Sequence, residues 1–311
     1  MSTSRPRWGD LPSAVRGKVT RFLGEKVISE EPQVGGYTPA VASLLTTSSG
    51  RSLFCKAMPQ EHPLGATLAA EAAVAASAPA GAALPGLVWE GTEGGWRVVV
   101  FTAVRGRHVN LSPGSGEVAA VVSALDGLAG DLTPCPLSTA PTARETLSPL
   151  LSGWSSLREQ TPPGLAPWAL ANLERLASLE GVWVDHADGD TLTHGDIRAD
   201  QLLIDARKRV WVVDWAYPCR GAAWIDAVEL VPHLIMAEHT AEEAEKQLAG
   251  SVRFASAPGV AVDSFAVAAA GYWARACRLA PPPGAGGARL RAFQARAADA
   301  ALAWVRYRLA E

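Results

Sequence analysis

Residues 192–204 read Leu-Thr-His-Gly-Asp-Ile-Arg-Ala-Asp-Gln-Leu-Leu-Ile, and residues 212–215 read Val-Val-Asp-Trp. The pattern is a strand, a polar loop, a short strand, a tight turn and a second short strand ending in an acid. Asp196 and Asp214 are therefore carried at the ends of apolar β-segments, where backbone geometry can hold them near each other. One carboxylate can orient a hydroxyl for attack while the other holds a magnesium ion, which is what phosphoryl transfer asks of a protein.

His194-Gly195-Asp196, with Gln201 downstream and Asp214 closing the next strand, resembles the catalytic and metal loops of one branch of the protein-kinase-like fold. That branch is the aminoglycoside phosphotransferase-like (choline kinase-type) family, whose pattern is H-G-D-x-x-x-x-N followed by a strand-end Asp. The resemblance covers about residues 8–309. It implies a two-lobed α+β fold, with a small β-rich N-lobe over residues 1–103 that binds nucleotide. The larger, mostly helical C-lobe over residues 104–311 would carry the catalytic loop and the acceptor-binding helices. It also implies an ATP- and Mg²⁺-dependent enzyme that moves the γ-phosphate to a hydroxyl of a small-molecule acceptor, an antibiotic being one candidate.

Under that resemblance Asp196 places the acceptor hydroxyl, and Gln201 and Asp214 hold metal; Arg198, two residues beyond Asp196, either neutralises charge on the migrating phosphoryl group or is a solvated loop arginine. His194 supports the loop, and Asp226 pins it from below. Gln201 departs from the family pattern. Its amide oxygen is the same ligand atom as that of Asn, on a side chain one carbon longer. The extra carbon moves the oxygen by up to roughly 1.5 Å, while Mg²⁺ wants ligands at about 2.0–2.1 Å. A second reading is therefore a catalytically weakened nucleotide-binding protein or scaffold, and a third is a kinase of peptide Ser/Thr on the same fold.

Lys56 lies inside the apolar segment Leu53-Phe54-Cys55-Lys56-Ala57, where a bare ammonium is costly to bury unless it is paired. Glu71, fifteen residues on, is the only carboxylate between Glu61 and Glu90. Such a Lys–Glu pair can hold the lysine against the α- and β-phosphates of ATP. The alternative is a lysine snorkelling to water and a glutamate facing solvent. Gly35-Gly36, at a bend between strands, lets backbone N–H groups approach phosphate, although a simple turn accounts for the pair equally well. By the resemblance, the connector from Thr102 to Val104 presents its backbone to the adenine edge. The chain has no G-x-x-x-x-G-K-[ST] and no G-x-S-x-G, which excludes a Walker-type site and argues against an α/β-hydrolase.

Periodicity predicts helices over residues 11–24, 64–78, 116–128, 165–179, 222–238, 240–255, 261–279 and 288–310. Strands are expected over 27–29, 37–46, 52–57, 87–89 and 96–101, the last two joined by a turn over 91–95. Thr240 with Glu243 makes a capping box. Residues 131–164 read as partly irregular and 185–190 as a solvated turn. His233 and His239 are six apart, not a zinc-binding helix-face pair.

The formal net charge of −3 gives no electrostatic case for nucleic acid or an anionic membrane. The polar start, residues 1–10, shows no secretory signal, and the apolar stretches are too broken to span a bilayer. Cys55, Cys135, Cys219 and Cys277 are scattered, as expected of reduced thiols in a cytoplasmic protein. A monomer or homodimer is expected. The acceptor is not legible: Glu229, Glu238, Glu242, Glu243 and Glu245 would suit a polycation. Against them stand Arg275, Arg278, Arg289, Arg291, Arg296, Arg306 and Arg308 on the last helices.

Overall fold

In the computed structural model residues 6–33, 40–282 and 286–310 are described. The first 108 residues carry α1 (Ser13–Leu23), β1 (Val27–Pro32), β2 (Val41–Thr47), β3 (Ser52–Pro59), α2 (Gly65–Ser77), β4 (Leu87–Glu93), β5 (Trp96–Thr102) and β6 (Gly106–His108). Next come α3 (Glu117–Asp131), α4 (Ala143–Leu147), α5 (Gly153–Glu159), α6 (Pro167–Ala171), α7 (Leu173–Leu179) and β7 (Thr191–Thr193). A hairpin of β8 (Leu202–Asp205) and β9 (Val210–Val212) follows, then β10 (Cys219–Gly221). The chain ends in α8 (Ile225–Met236), α9 (Ala241–Leu248), α10 (Val252–Ser256), α11 (Gly259–Ala276) and α12 (Gly287–Arg308). It is an α+β structure of two compact units: residues 1–108 with 200–217, and residues 109–199 with 218–311.

The first unit is built on a five-stranded antiparallel sheet in the order β1-β2-β3-β5-β4. Side chains alternate across β3, so its two faces serve two cores. Leu53, Cys55 and Ala57 pack with Trp8, Leu11, Val15 and Val19 on the α1 side. Met58, with Phe54 at its margin, packs with Leu68, Ala72, Val99 and Phe101 on the α2 side. Alternation puts Lys56 on this second face. On α2 the residues Leu68, Glu71, Ala72 and Ala75 recur at helical spacing, which turns Glu71 to the sheet. β8 pairs with β6 and β9 with β8, which draws residues 200–217 into this unit.

The second unit is helical around the two-stranded β10-β7 sheet. α11 is buried along almost its whole length and packs against α12 and α5. Where α5 meets α11, Gly153 and Gly271 face each other so closely that a Cβ on either would strike the other helix.

Several boundaries differ from expectation. The helix expected over 165–179 is two helices, interrupted at Asn172, whose side chain returns to the Trp168 carbonyl at 3.0 Å. The helix expected to reach residue 255 stops at Leu248, because Ser251 starts a new one. Its hydroxyl caps the Phe254 amide and donates to Asp126 at 2.6 Å. β4 runs on to Glu93, leaving Gly94 and Gly95, both at positive φ, to make the turn. The Thr240–Glu243 capping box is present, and a second joins Thr142 to Glu145. Among the described residues no helix is long and apolar enough to cross a membrane.

Candidate active site

In the first unit, Lys56 Nζ donates to Glu71 at 2.9 and 2.8 Å and to Asp214 Oδ1 at 2.6 Å. β3 supplies the lysine, α2 the glutamate, and the turn after β9 the aspartate. Burial disfavours the ammonium, but the adjacent charges of Asp214 and Glu71 outweigh it and hold Lys56 above its ordinary value. Burial also pushes the Glu71 carboxyl up, against the pull of Lys56. The lysine is therefore a permanent cation anchored at a fixed place.

Asp214 has φ 70°, in the left-handed region that Asp tolerates better than most residues. The Val213 amide donates to the Gln201 carbonyl at 3.0 Å, so the β8–β9 hairpin sets Gln201 opposite the residue before Asp214. A carboxylate and an amide are hard oxygen donors of the kind Mg²⁺ takes. The ion commonly uses one or two protein ligands and draws the rest from phosphate and water. Among the described residues no group of three or more His, Cys, Asp or Glu could hold a metal ion.

The second unit holds Asp196 and Arg198. Gly195 turns the chain after β7 at φ 72°, a conformation glycine adopts without steric cost. The His194 amide donates to both oxygens of Asp226 at 2.9 Å, and the Gly195 amide to Oδ1 at 3.2 Å. The Ile197 amide donates to Glu229 Oε2 at 2.7 Å. Asp226 and Glu229 are three apart on α8, hence on one helix face, and together hold the backbone on both sides of Asp196. Burial raises both carboxyls, Glu229 well above the usual range with the charge of Asp226 adding to it. Asp196 Oδ2 accepts from Arg198 Nη1 at 2.7 Å, in a half-buried ion pair.

The remaining candidates divide as follows. Thr102 ends β5, where its amide donates to the Gly86 carbonyl at 2.9 Å and its hydroxyl oxygen accepts from the Gly86 amide at the same distance. Val104 follows in the connector to β6, and Gly35 and Gly36 lie outside the described residues. Sequence reasoning gave Glu229 no part in the loop. Its spacing from Asp226 on a helix was the signal that could have found it. All four cysteines are free, and burial pushes the Cys219 thiol up to about 12.

The model of the family described as "Phosphotransferase enzyme family" matches residues 32–260. The chain belongs to the phosphotransferase enzyme family. Its members' class is that of kinases, phosphotransferases with an alcohol group as acceptor. Solved structures share the fold of this phosphotransferase at low sequence identity. Spectinomycin phosphotransferase APH(9)-Ia, in complex with ADP and spectinomycin, is 12% identical at a TM-score of 0.63, covering 93% of this chain and 98% of that one. Choline kinase LicA from Streptococcus pneumoniae is 14% identical at 0.58, covering 92% and 97%. An aminoglycoside 2'-phosphotransferase IIIa variant in complex with GDP is 15% identical at 0.60, covering 94% and 95%. No curated protein sequence matches this phosphotransferase.

Proposed function

We propose that this phosphotransferase moves the γ-phosphate of ATP, carried as its Mg²⁺ complex, to a hydroxyl of a small-molecule acceptor. The observation that carries the reading is the Lys56 ammonium fixed between Glu71 and Asp214 at 2.8 and 2.6 Å. A lysine so held is placed to meet the α- and β-phosphates without first giving up conformational freedom. The stretch from Thr102 to Val104 takes the adenine edge, and Gly35 and Gly36, outside the described residues, are the sequence's candidates for backbone contact with the phosphates. Asp214 and Gln201 would hold the cation, which when bound would neutralise phosphate charge.

In the transfer the acceptor oxygen bonds to the γ-phosphorus as the bond from that phosphorus to the β-bridging oxygen breaks. ADP leaves with that electron pair, and the hydroxyl proton passes to the Asp196 carboxylate and on to water. Because the transition state is loose, Asp196 acts chiefly by placing the oxygen. Arg198 fixes that carboxylate and brings positive charge near the migrating group.

Thermal unfolding followed with ATP, GTP and Mg²⁺, singly and together, tests the reading. ATP with Mg²⁺ should stabilise more than either alone, by about 2.7 kcal/mol at a hundred times the dissociation constant. No shift with any nucleotide–metal pair contradicts it, and a shift with GTP alone among the nucleotides changes the donor.

A further inference from the structure

A run of aromatic rings in the second unit leads directly to Asp196. The Arg198 guanidinium that pairs with this carboxylate at 2.7 Å also lies over Phe293 of α12, its central carbon 6.0 Å from the ring centroid. Trp273 of α11 meets Phe293 edge-on at 5.8 Å, and Tyr272 meets Trp273 edge-on at 4.6 Å. His233 of α8 stacks on Phe293 at 6.2 Å, with the planes 15° apart. His233 and Trp273 are buried, while Phe293, Tyr272 and Arg198 are half-buried and keep surface for a further contact.

The charges beside this wall point the same way. Asp226 and Glu229 are engaged by loop amides, and Asp196 is engaged by Arg198. A polycationic acceptor needs carboxylates that face it. Here it would meet a guanidinium, which also occupies the ring face that a single quaternary ammonium would seek. A planar guanidinium next to an aromatic ring instead favours stacking of a further flat group.

We propose that the acceptor carries an aromatic or otherwise flat unsaturated ring and no cluster of positive charge, the ring stacking on the Arg198 guanidinium at the margin of Phe293 while a hydroxyl of the same molecule reaches Asp196. This rests on the phosphotransferase reading above.

The test is ADP release by the full-length protein with ATP and Mg²⁺ over hydroxyl compounds in three classes. These are neutral or anionic ring-bearing compounds, such as 4-nitrophenyl glycosides with the matching methyl glycosides; amino sugars, including hygromycin B and spectinomycin; and choline. Ring-bearing acceptors should lead in kcat/KM and surpass their methyl counterparts. Phe293→Leu, which keeps apolar bulk, should raise KM for the ring-bearing acceptors by about three- to tenfold more than for the methyl counterparts. Leadership by amino sugars or choline overturns the proposal, and so does equal use of ring and methyl glycosides by the natural protein, whatever the variant does. A protein that binds no nucleotide at all instead overturns the reading beneath it.

Discussion

Lys56 Nζ donates to Asp214 Oδ1 at 2.6 Å, across 158 positions of sequence. One cation thus ties the centre of the five-stranded sheet to the turn that ends the β8–β9 hairpin. Asp214 is the more exposed partner, at 43% against 13% for Lys56 and 10% for Glu71.

Lys56→Met leaves Glu71 buried without its counter-charge. Removing one member of a buried pair costs about 3–5 kcal/mol, and solvent at Asp214 sets the expectation near the lower end, about 3 kcal/mol. Urea unfolding measures the loss, and the thermal shift with ATP and Mg²⁺ should vanish in the same variant.

Asp226→Asn keeps one acceptor oxygen where three hydrogen bonds from two amides now converge. An amide left short of a partner costs about 1–3 kcal/mol. Turnover should fall while nucleotide affinity holds, because the carboxylate positions the loop around Asp196 and none of the phosphate-binding residues of the first unit.

Glu229→Gln isolates a pH effect. Burial, and then the charge of Asp226, raise the Glu229 carboxyl well above its ordinary value of 4.5, so the fold favours the neutral form. That stabilisation is complete below the ordinary value and is lost as pH rises through the raised one. Gln copies the neutral form and can still accept from Ile197. The urea midpoint of the variant should therefore gain on that of the natural protein as pH rises above the ordinary carboxylate range, and parallel curves would refute the assignment.

Gln201→Asn restores the shorter amide of the family pattern. It should lower the Mg²⁺ concentration that gives half-maximal turnover, read by titrating the metal at fixed ATP. A large gain in turnover at saturating Mg²⁺ would mark the natural protein as a weakened catalyst.

The motif around Asp196 and Asp214 stood out because phosphoryl transfer would require particular residues at fixed spacing, and the Lys56–Glu71 pair was legible because a lysine in an apolar strand demands a counter-charge. Alternation along β3 and helical spacing along α2 then bring the two together. The grip of Asp226 on the loop came from the resemblance. The role of Glu229 was hidden, since its partner is a backbone amide and any residue supplies one. Phe293 was hidden in a helix whose pattern gives packing but not neighbours. That residues 200–217 group with the first 108 depends on the pairing of β8 with β6, a long-range contact no local signal announces. The breaks at Asn172 and Ser251 were missed because side-chain hydrogen bonds override continuous helical periodicity.

The central claim, that Asp196 serves phosphoryl transfer from ATP, is tested most directly by ATP turnover of Asp196→Asn beside the natural protein at saturating ATP and Mg²⁺. Turnover should fall roughly 10²- to 10⁴-fold with the dissociation constant of ATP nearly unchanged. Equal turnover in the two proteins would contradict the account.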